Sequence, residues 1–384
     1  CSNSLKALRT GSAAGMLKEE MKRLGSLTVE CALECAVPAG GALAVDRDKF
    51  SALVTEKIKQ NKYIEVIHGE VTEIPDNDIV IVAAGPLVSD KLAQKIGELL
   101  GKDFLAFYDA AAPIVTADSI DMKNAFTQSR YDRGGEADYI NCPLNKEEYE
   151  EFYEAIINAE SAELHSFDKK KDVYEGCMPI EIMAKRGLDT LRFGPLKPVG
   201  FTDPRTGYRP YAVVQLRQDN KEGTIYNLVG FQTHLKFGEQ KRVFQMIPGL
   251  ENARFAKYGR MHKNTYINAP KILEPTFQTK EFPNVFFAGQ ITGVEGYVES
   301  ASSGLIAGIN MARYLEGKAL LDLDSTTSSG ALACYISSYH TEFTPMNVNF
   351  GIFTPLDSSV KKKDRKTAYV ERALSKIEEY LLDE

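Results

Sequence analysis

Two stretches of this chain carry residue types at spacings that could do chemistry. In Tyr174-Glu175-Gly176-Cys177-Met178-Pro179-Ile180-Glu181 a thiol is flanked by glycine and followed closely by proline. That pattern predicts a rigid, exposed turn, and Lys185 and Arg186 downstream would draw the thiol toward the nucleophilic thiolate. A small buried filler is the competing reading of any single cysteine, and the residues alone leave both open. In Phe286-Phe287-Ala288-Gly289-Gln290-Ile291-Thr292-Gly293-Val294-Glu295-Gly296-Tyr297 a short apolar run ends in a glycine-spaced loop, followed by the small residues Ser300 to Gly304. Such a loop lets backbone approach a ligand closely. The helix that leaves it presents free N–H groups and a partial positive charge.

A helix end of that kind can stabilise the anionic N1–C2=O edge of a reduced flavin. A second strand, Val80 to Ala83, breaks at Ala84-Gly85-Pro86. It is close to the Ala-Thr-Gly at which flavoproteins of the glutathione-reductase type cross near their dinucleotide. The candidate cofactor contacts are therefore Ala84, Gly85, Gly289, Gln290, Gly293, Gly296, Tyr297, Ser302 and Gly304. The phosphate-binding Gly-x-Gly-x-x-Gly occurs nowhere in the 384 residues, and Cys1 stands where an initiator methionine would. The chain reads as a fragment or processed form lacking an N-terminal segment, which predicts that FAD is held at full stoichiometry only with that segment restored.

The remaining titratable residues offer less. Cys31 and Cys35 lie four apart, but no second pair or nearby histidine completes a metal site. Cys31, Cys35, Cys142 and Cys334 read as structural, and no metal is expected. None of the five histidines shows triad or metal spacing; His262, in Arg260-Met261-His262-Lys263-Asn264, is the one to watch.

Charge gives a second clue. The formal net charge is −7, yet Lys185 to Lys263 holds 15 Lys and Arg against 6 Asp and Glu, so +9 there and −16 elsewhere. An acidic body with one basic stretch fits a protein that offers a polyanion a single face. Arg192, Lys197, Arg205, Arg209, Lys241 and Arg242 are the candidate phosphate contacts. No apolar run approaches the ~20 residues of a membrane span, and the composition predicts a soluble, cytoplasmic protein.

These residues need elements to position them. Leu17, Met21 and Leu24 mark a helix stopped by Gly25. Tyr63 to His68 and Ile79 to Ala83 read as strands, and Ser89 caps a helix ended by Gly101. Strand, glycine turn and helix in that order make one unit of a doubly wound α/β fold. Asn145 with Glu148 predicts a capping box, followed by a stripe of Tyr149, Phe152, Tyr153, Ile156 and Ile157. Tyr211 to Arg217 and Thr224 to Gly230 predict an antiparallel hairpin. Val285 to Ala288 predicts a buried strand and Gly304 to Glu316 a helix. A last helix has Tyr369, Val370, Ala373, Leu374 and Ile377 on its apolar face. The expected organisation is an FAD-binding domain over residues 1–130 and 269–384, interrupted by an inserted α+β domain over 131–268.

Several motifs together resemble one family. They are Cys1-Ser2-Asn3-Ser4-Leu5, Leu17 to Met21, Pro38 to Arg47, Asp109 to Val115, Glu175 to Glu181, Gly238 to Val243, Gly289 to Ser300 and Pro345 to Gly351. The chain resembles the folate- and FAD-dependent tRNA (uracil-5-)-methyltransferases, the TrmFO family, over nearly its whole length. The resemblance implies a glutathione-reductase-type FAD domain with an insertion, methylenetetrahydrofolate as carbon donor, NAD(P)H as reductant and the T-loop uridine of tRNA as substrate. It puts the family's catalytic cysteines on Cys1 and Cys177. Thiolate addition to C6 of uracil would make C5 nucleophilic toward a one-carbon electrophile, with Cys177 the attacking thiol and Cys1 a second thiol near the flavin; the opposite assignment is the alternative. No protein partner is implied. A flavin oxidoreductase without an RNA substrate, or a non-catalytic tRNA-binding protein, are the rival readings.

Overall fold

The computed structural model describes residues 3–76, 78–101, 104–132, 139–162 and 178–382. Cys1 and Cys177 lie outside them. The chain divides into two compact units, one of Cys1–Ser4, Ala32–Ala52 and Phe107–His262, the other of Leu5–Cys31, Leu53–Ala106 and Lys263–Glu384.

The first unit is built on a six-stranded antiparallel sheet. Its order is Phe255–Lys257, Ile114–Thr116, Ile225–Leu228, Ala212–Gln218, Tyr139–Leu144, Phe126–Thr127. The predicted hairpin is its centre, with Tyr226 opposite Gln218 and Leu228 opposite Leu216. Asn220 closes the turn, its Oδ1 accepting from Thr224 N at 3.0 Å. The helix Lys146–Ile157 starts at the expected capping box: Asn145 Oδ1 accepts from Glu148 N and Glu148 Oε2 from Asn145 N. It buries Tyr149, Phe152 and Ile156 in a core shared with Val214, Leu216, Phe231 and Phe244. Each such side chain contributes roughly 1.5–3 kcal/mol of burial.

In the second unit Val285–Phe287 pairs parallel with Val80–Val82, the arrangement an α/β fold requires. The helix Tyr297–Leu315 leaves this sheet and packs against Ala13–Arg23 and Ser328–Ser337. Ala13–Arg23 is capped by Ser12, whose Oγ accepts from Gly15 N, and buries Met16, Leu17 and Met21 completely. Ser89 and Gly101 bound the helix Asp90–Leu100 as expected. The last helix, Arg365–Leu382, buries Ala373 and Ile377.

Two expectations are corrected. Tyr63 to His68 forms no strand; every one of these residues is exposed, and no strand pairs with them among the described residues. Alternating apolar residues make a strand only where a neighbour takes up their hydrogen bonds. The glycine-loop helix starts at Tyr297, seven residues before the expected Gly304. Gly304 sits inside the helix, where a glycine weakens but does not end it.

Candidate functional site

The glycine loop is fixed from several sides within the second unit. Ala288 N donates to Val82 O at 3.1 Å, and Gly289 N to Ser303 Oγ at 2.8 Å. Thr292 Oγ1 donates back to Gly289 O at 2.8 Å, and Gln290 Nε2 to Glu295 Oε2 at 3.0 Å. Met346 bridges the far side, donating N–H to Gly293 O and accepting from Glu295 N. Gly289, Gly293 and Gly296 have φ of 81°, 88° and 114°, a region side chains strongly disfavour. Among the described residues nothing lies within 4 Å of where a Gly289 Cβ would stand, whereas a Gly293 Cβ would meet the Phe343 ring at 2.6 Å.

Gly296 is followed directly by the helix, and the third helical residue, Glu299, is fully buried. Its Oε1 accepts from Lys6 Nζ at 2.5 Å and Val348 N at 3.2 Å. Lys18 is buried beside this pair, donating to Leu5 O and Ala14 O. Burial pulls its ammonium down to about 8, against the nearby Glu299 charge, which raises it.

The predicted cofactor residues all fall in this unit. Gly289, Gln290, Gly293, Gly296 and Tyr297 form the loop and helix start, with Tyr297 exposed. Ala84 is exposed beside Gly85, whose φ is 69°. Ser302 is buried and bonds to Ser329 Oγ at 3.1 Å, and Gly304 lies two residues further along the helix. The open space at Gly289, the left-handed glycines and the helix N-terminus fit an FAD: backbone can approach closely, and the first turn of the helix carries partial positive charge.

The two predicted cysteines are followed by anchors in the first unit. Asn3 is buried; its Nδ2 donates to Val45 O and Gln218 O, and its Oδ1 accepts from Arg217 Nε at 3.2 Å. Four residues after Cys177, buried Glu181 accepts from Thr233 Oγ1 at 2.9 Å and His234 N at 2.8 Å. Burial raises its carboxyl, with these bonds opposing. Sequence reasoning missed both anchors; a buried polar residue next to a reactive one is the only signal they give. The four described cysteines are poor nucleophiles. Burial pushes Cys142 up to about 12 and raises Cys35 and Cys334, while Cys31 is fully buried.

The predicted phosphate contacts all lie in the first unit and divide in two. Arg192 stacks 3.6 Å over Tyr211 and bonds Asp189; Arg205 holds Asp203 through two nitrogens; Arg242 does the same to Glu239. Lys197, Arg209 and Lys241 are exposed and make no ion pair among the described residues. No group of three metal-ligating side chains occurs among the described residues, and no helix there is long and apolar enough to cross a membrane.

The profile of the family described as "Glucose inhibited division protein A" matches residues 1–319. A protein of Acetivibrio thermocellus named "Methylenetetrahydrofolate--tRNA-(uracil-5-)-methyltransferase TrmFO" is 58% identical over 383 residues, covering 99% of this chain and 87% of that protein. Its namesake in Heliobacterium modesticaldum is 56% identical over 385 residues, covering 100% and 87%. The fold is that of the Aquifex aeolicus GidA structure in its form I crystal, with TM-score 0.68 at 15% identity over 97% of this chain and 68% of that one. The form II crystal gives 0.66 at 15% identity, over 99% and 66%. The chain belongs to the glucose-inhibited division protein A family and, within it, to the TrmFO proteins.

Proposed function

We propose that this protein methylates C5 of the T-loop uridine of tRNA, taking the carbon from 5,10-methylenetetrahydrofolate and reducing equivalents from NAD(P)H, with FAD bound at the glycine loop. The similarity to the TrmFO proteins over 99% of the chain carries this reading. FAD, when bound, supplies the one-carbon and hydride chemistry. The protein's own residues do the rest. Cys177 adds as thiolate to C6 of the uracil, which makes C5 nucleophilic, and is expelled when the C5 proton leaves. Cys1 is the second thiol of the site. Asn3 and Glu181 fix the described backbone that follows each cysteine. The four described cysteines, raised or buried, do not compete for the role.

Lys197, Arg209 and Lys241 offer unspent charge to tRNA phosphates. The target uridine must leave its stack to reach a thiol. Cys177→Ala tests the reading: methyl transfer should disappear while tRNA affinity stays near that of the parent. Retained transfer in Cys177→Ala with loss in Cys1→Ala would reverse the two roles.

A further inference from the structure

Three aromatic rings form a column in the first unit. Phe237 lies 4.9 Å from Tyr258 at 19° between planes, and Tyr258 lies 5.0 Å from Phe255 at 14°. The guanidinium of Arg260 sits 5.2 Å from the Phe237 ring. Phe255 belongs to the edge strand of the six-stranded sheet, and Phe237 opens the helix Phe237–Phe244.

Most ring contacts of the packed interior are steeper: Phe231 meets Phe244 at 80°, Tyr149 meets Tyr211 at 62° and Phe126 meets Phe201 at 71°, although Tyr149 and Tyr153 stack at 25°. A column of near-parallel rings is instead the arrangement to which another flat ring can add. One end of it reaches water: Phe237 is 44% exposed, Tyr258 is half-buried, and half-buried Phe255 anchors the other end against the core. Between Lys236 and Arg260 the chain carries six Lys and Arg against two Asp and Glu. Lys241, Lys257 and Arg260 are exposed there, and Lys241 lies one helical turn from Phe237. Aromatic faces interleaved with cations match a nucleic-acid strand whose bases have left their stack, base on ring and phosphate on cation.

We infer that Phe237, Tyr258 and Phe255 form a stacking platform for an unpaired base of the RNA substrate, with Lys241, Lys257 and Arg260 on its flanking phosphates. This rests on tRNA being the substrate and names a part of the protein that reads it. Stacking and charge separate by salt, because only neutralised phosphates release counterions.

Binding of an unmodified tRNA transcript is measured across a salt series for the parent, Phe237→Leu, Phe237→Tyr and Lys241→Ala. Phe237→Leu keeps apolar bulk for folding but removes the ring face. It should weaken binding at least about fivefold, as expected for one stacked base, with an unchanged salt slope. Phe237→Tyr should bind like the parent, and Lys241→Ala should lower the slope by about 1. A folded Phe237→Leu within twofold of the parent overturns the platform. So does a loss confined to the KM for the folate donor, which would make the stacked ring a pterin. A parent that binds no tRNA at any salt overturns the proposed function itself, a different result from either.

Discussion

The Lys6 ammonium lies 2.5 Å from the carboxylate of Glu299, a fully buried residue in the first turn of the glycine-loop helix. The second carboxylate oxygen of Glu299 is buried and accepts no hydrogen bond among the described residues, and a Cβ on Gly296 would stand 2.4 Å from it. Loop, helix start and ion pair are thus one packed object. Glu299→Gln removes the carboxylate charge that pairs with Lys6 and should lower stability by about 1–3 kcal/mol, discounted from a fully buried pair because Lys6 is partly exposed. Gly296→Ala adds a clash to a φ of 114° and should destabilise at least as much. Thermal melts check both; a melting temperature unchanged in Gly296→Ala would refute the packing.

Glu20 makes stability depend on pH. It is fully buried and caps the helix Ser328–Ser337, accepting from Ser328 N at 2.6 Å and from Ser329 N and Oγ at 3.0 and 3.1 Å. Burial outweighs these bonds and raises its carboxyl from 4.5 to about 7. Between those values the folded state holds a proton the unfolded state has lost, so stability falls as pH rises through the window and levels off above about 7. The effect is on the order of 3 kcal/mol. Glu20→Gln does not titrate, so its melting temperature relative to the parent should climb by several degrees between pH 5 and pH 8. A constant difference would show that Glu20 is ionised throughout.

The basic residues should sort by their partners. Lys197→Ala, Arg209→Ala and Lys241→Ala should each reduce the salt slope of tRNA binding by about 1. Arg192→Ala and Arg205→Ala should act mainly on stability, since Tyr211 and Asp189 hold the one and Asp203 the other. Equal slopes for all five variants would place the tRNA elsewhere.

Much of this was legible in the sequence because it is written locally. The capping box at Asn145, the hairpin around Asn220 and the glycine loop after Phe287 each depend on residues a few positions apart. What depends on distant partners was not. The apolar residues from Tyr63 to His68 carry a strand's pattern, yet pairing, not pattern, makes a strand. Asn3 meets Arg217 and Gln218 across more than 200 residues, and Glu20 meets Ser328 across more than 300. The aromatic column was hidden likewise, since only the sheet edge brings Phe255 and Tyr258 to Phe237. Charge counting found the basic stretch, but only the side-chain partners separate Lys241 from Arg242.

The proposed reaction moves one carbon from folate to tRNA, so labelled carbon follows it from donor to product. The protein is incubated with an unmodified tRNA transcript, FAD, NADPH and 5,10-methylenetetrahydrofolate carrying the label in its methylene carbon. One labelled 5-methyluridine per tRNA is expected, at the T-loop uridine, present in the parent and absent in Cys177→Ala. NADPH oxidation with no label in the RNA, or label arriving only when S-adenosylmethionine is the labelled donor, would contradict it.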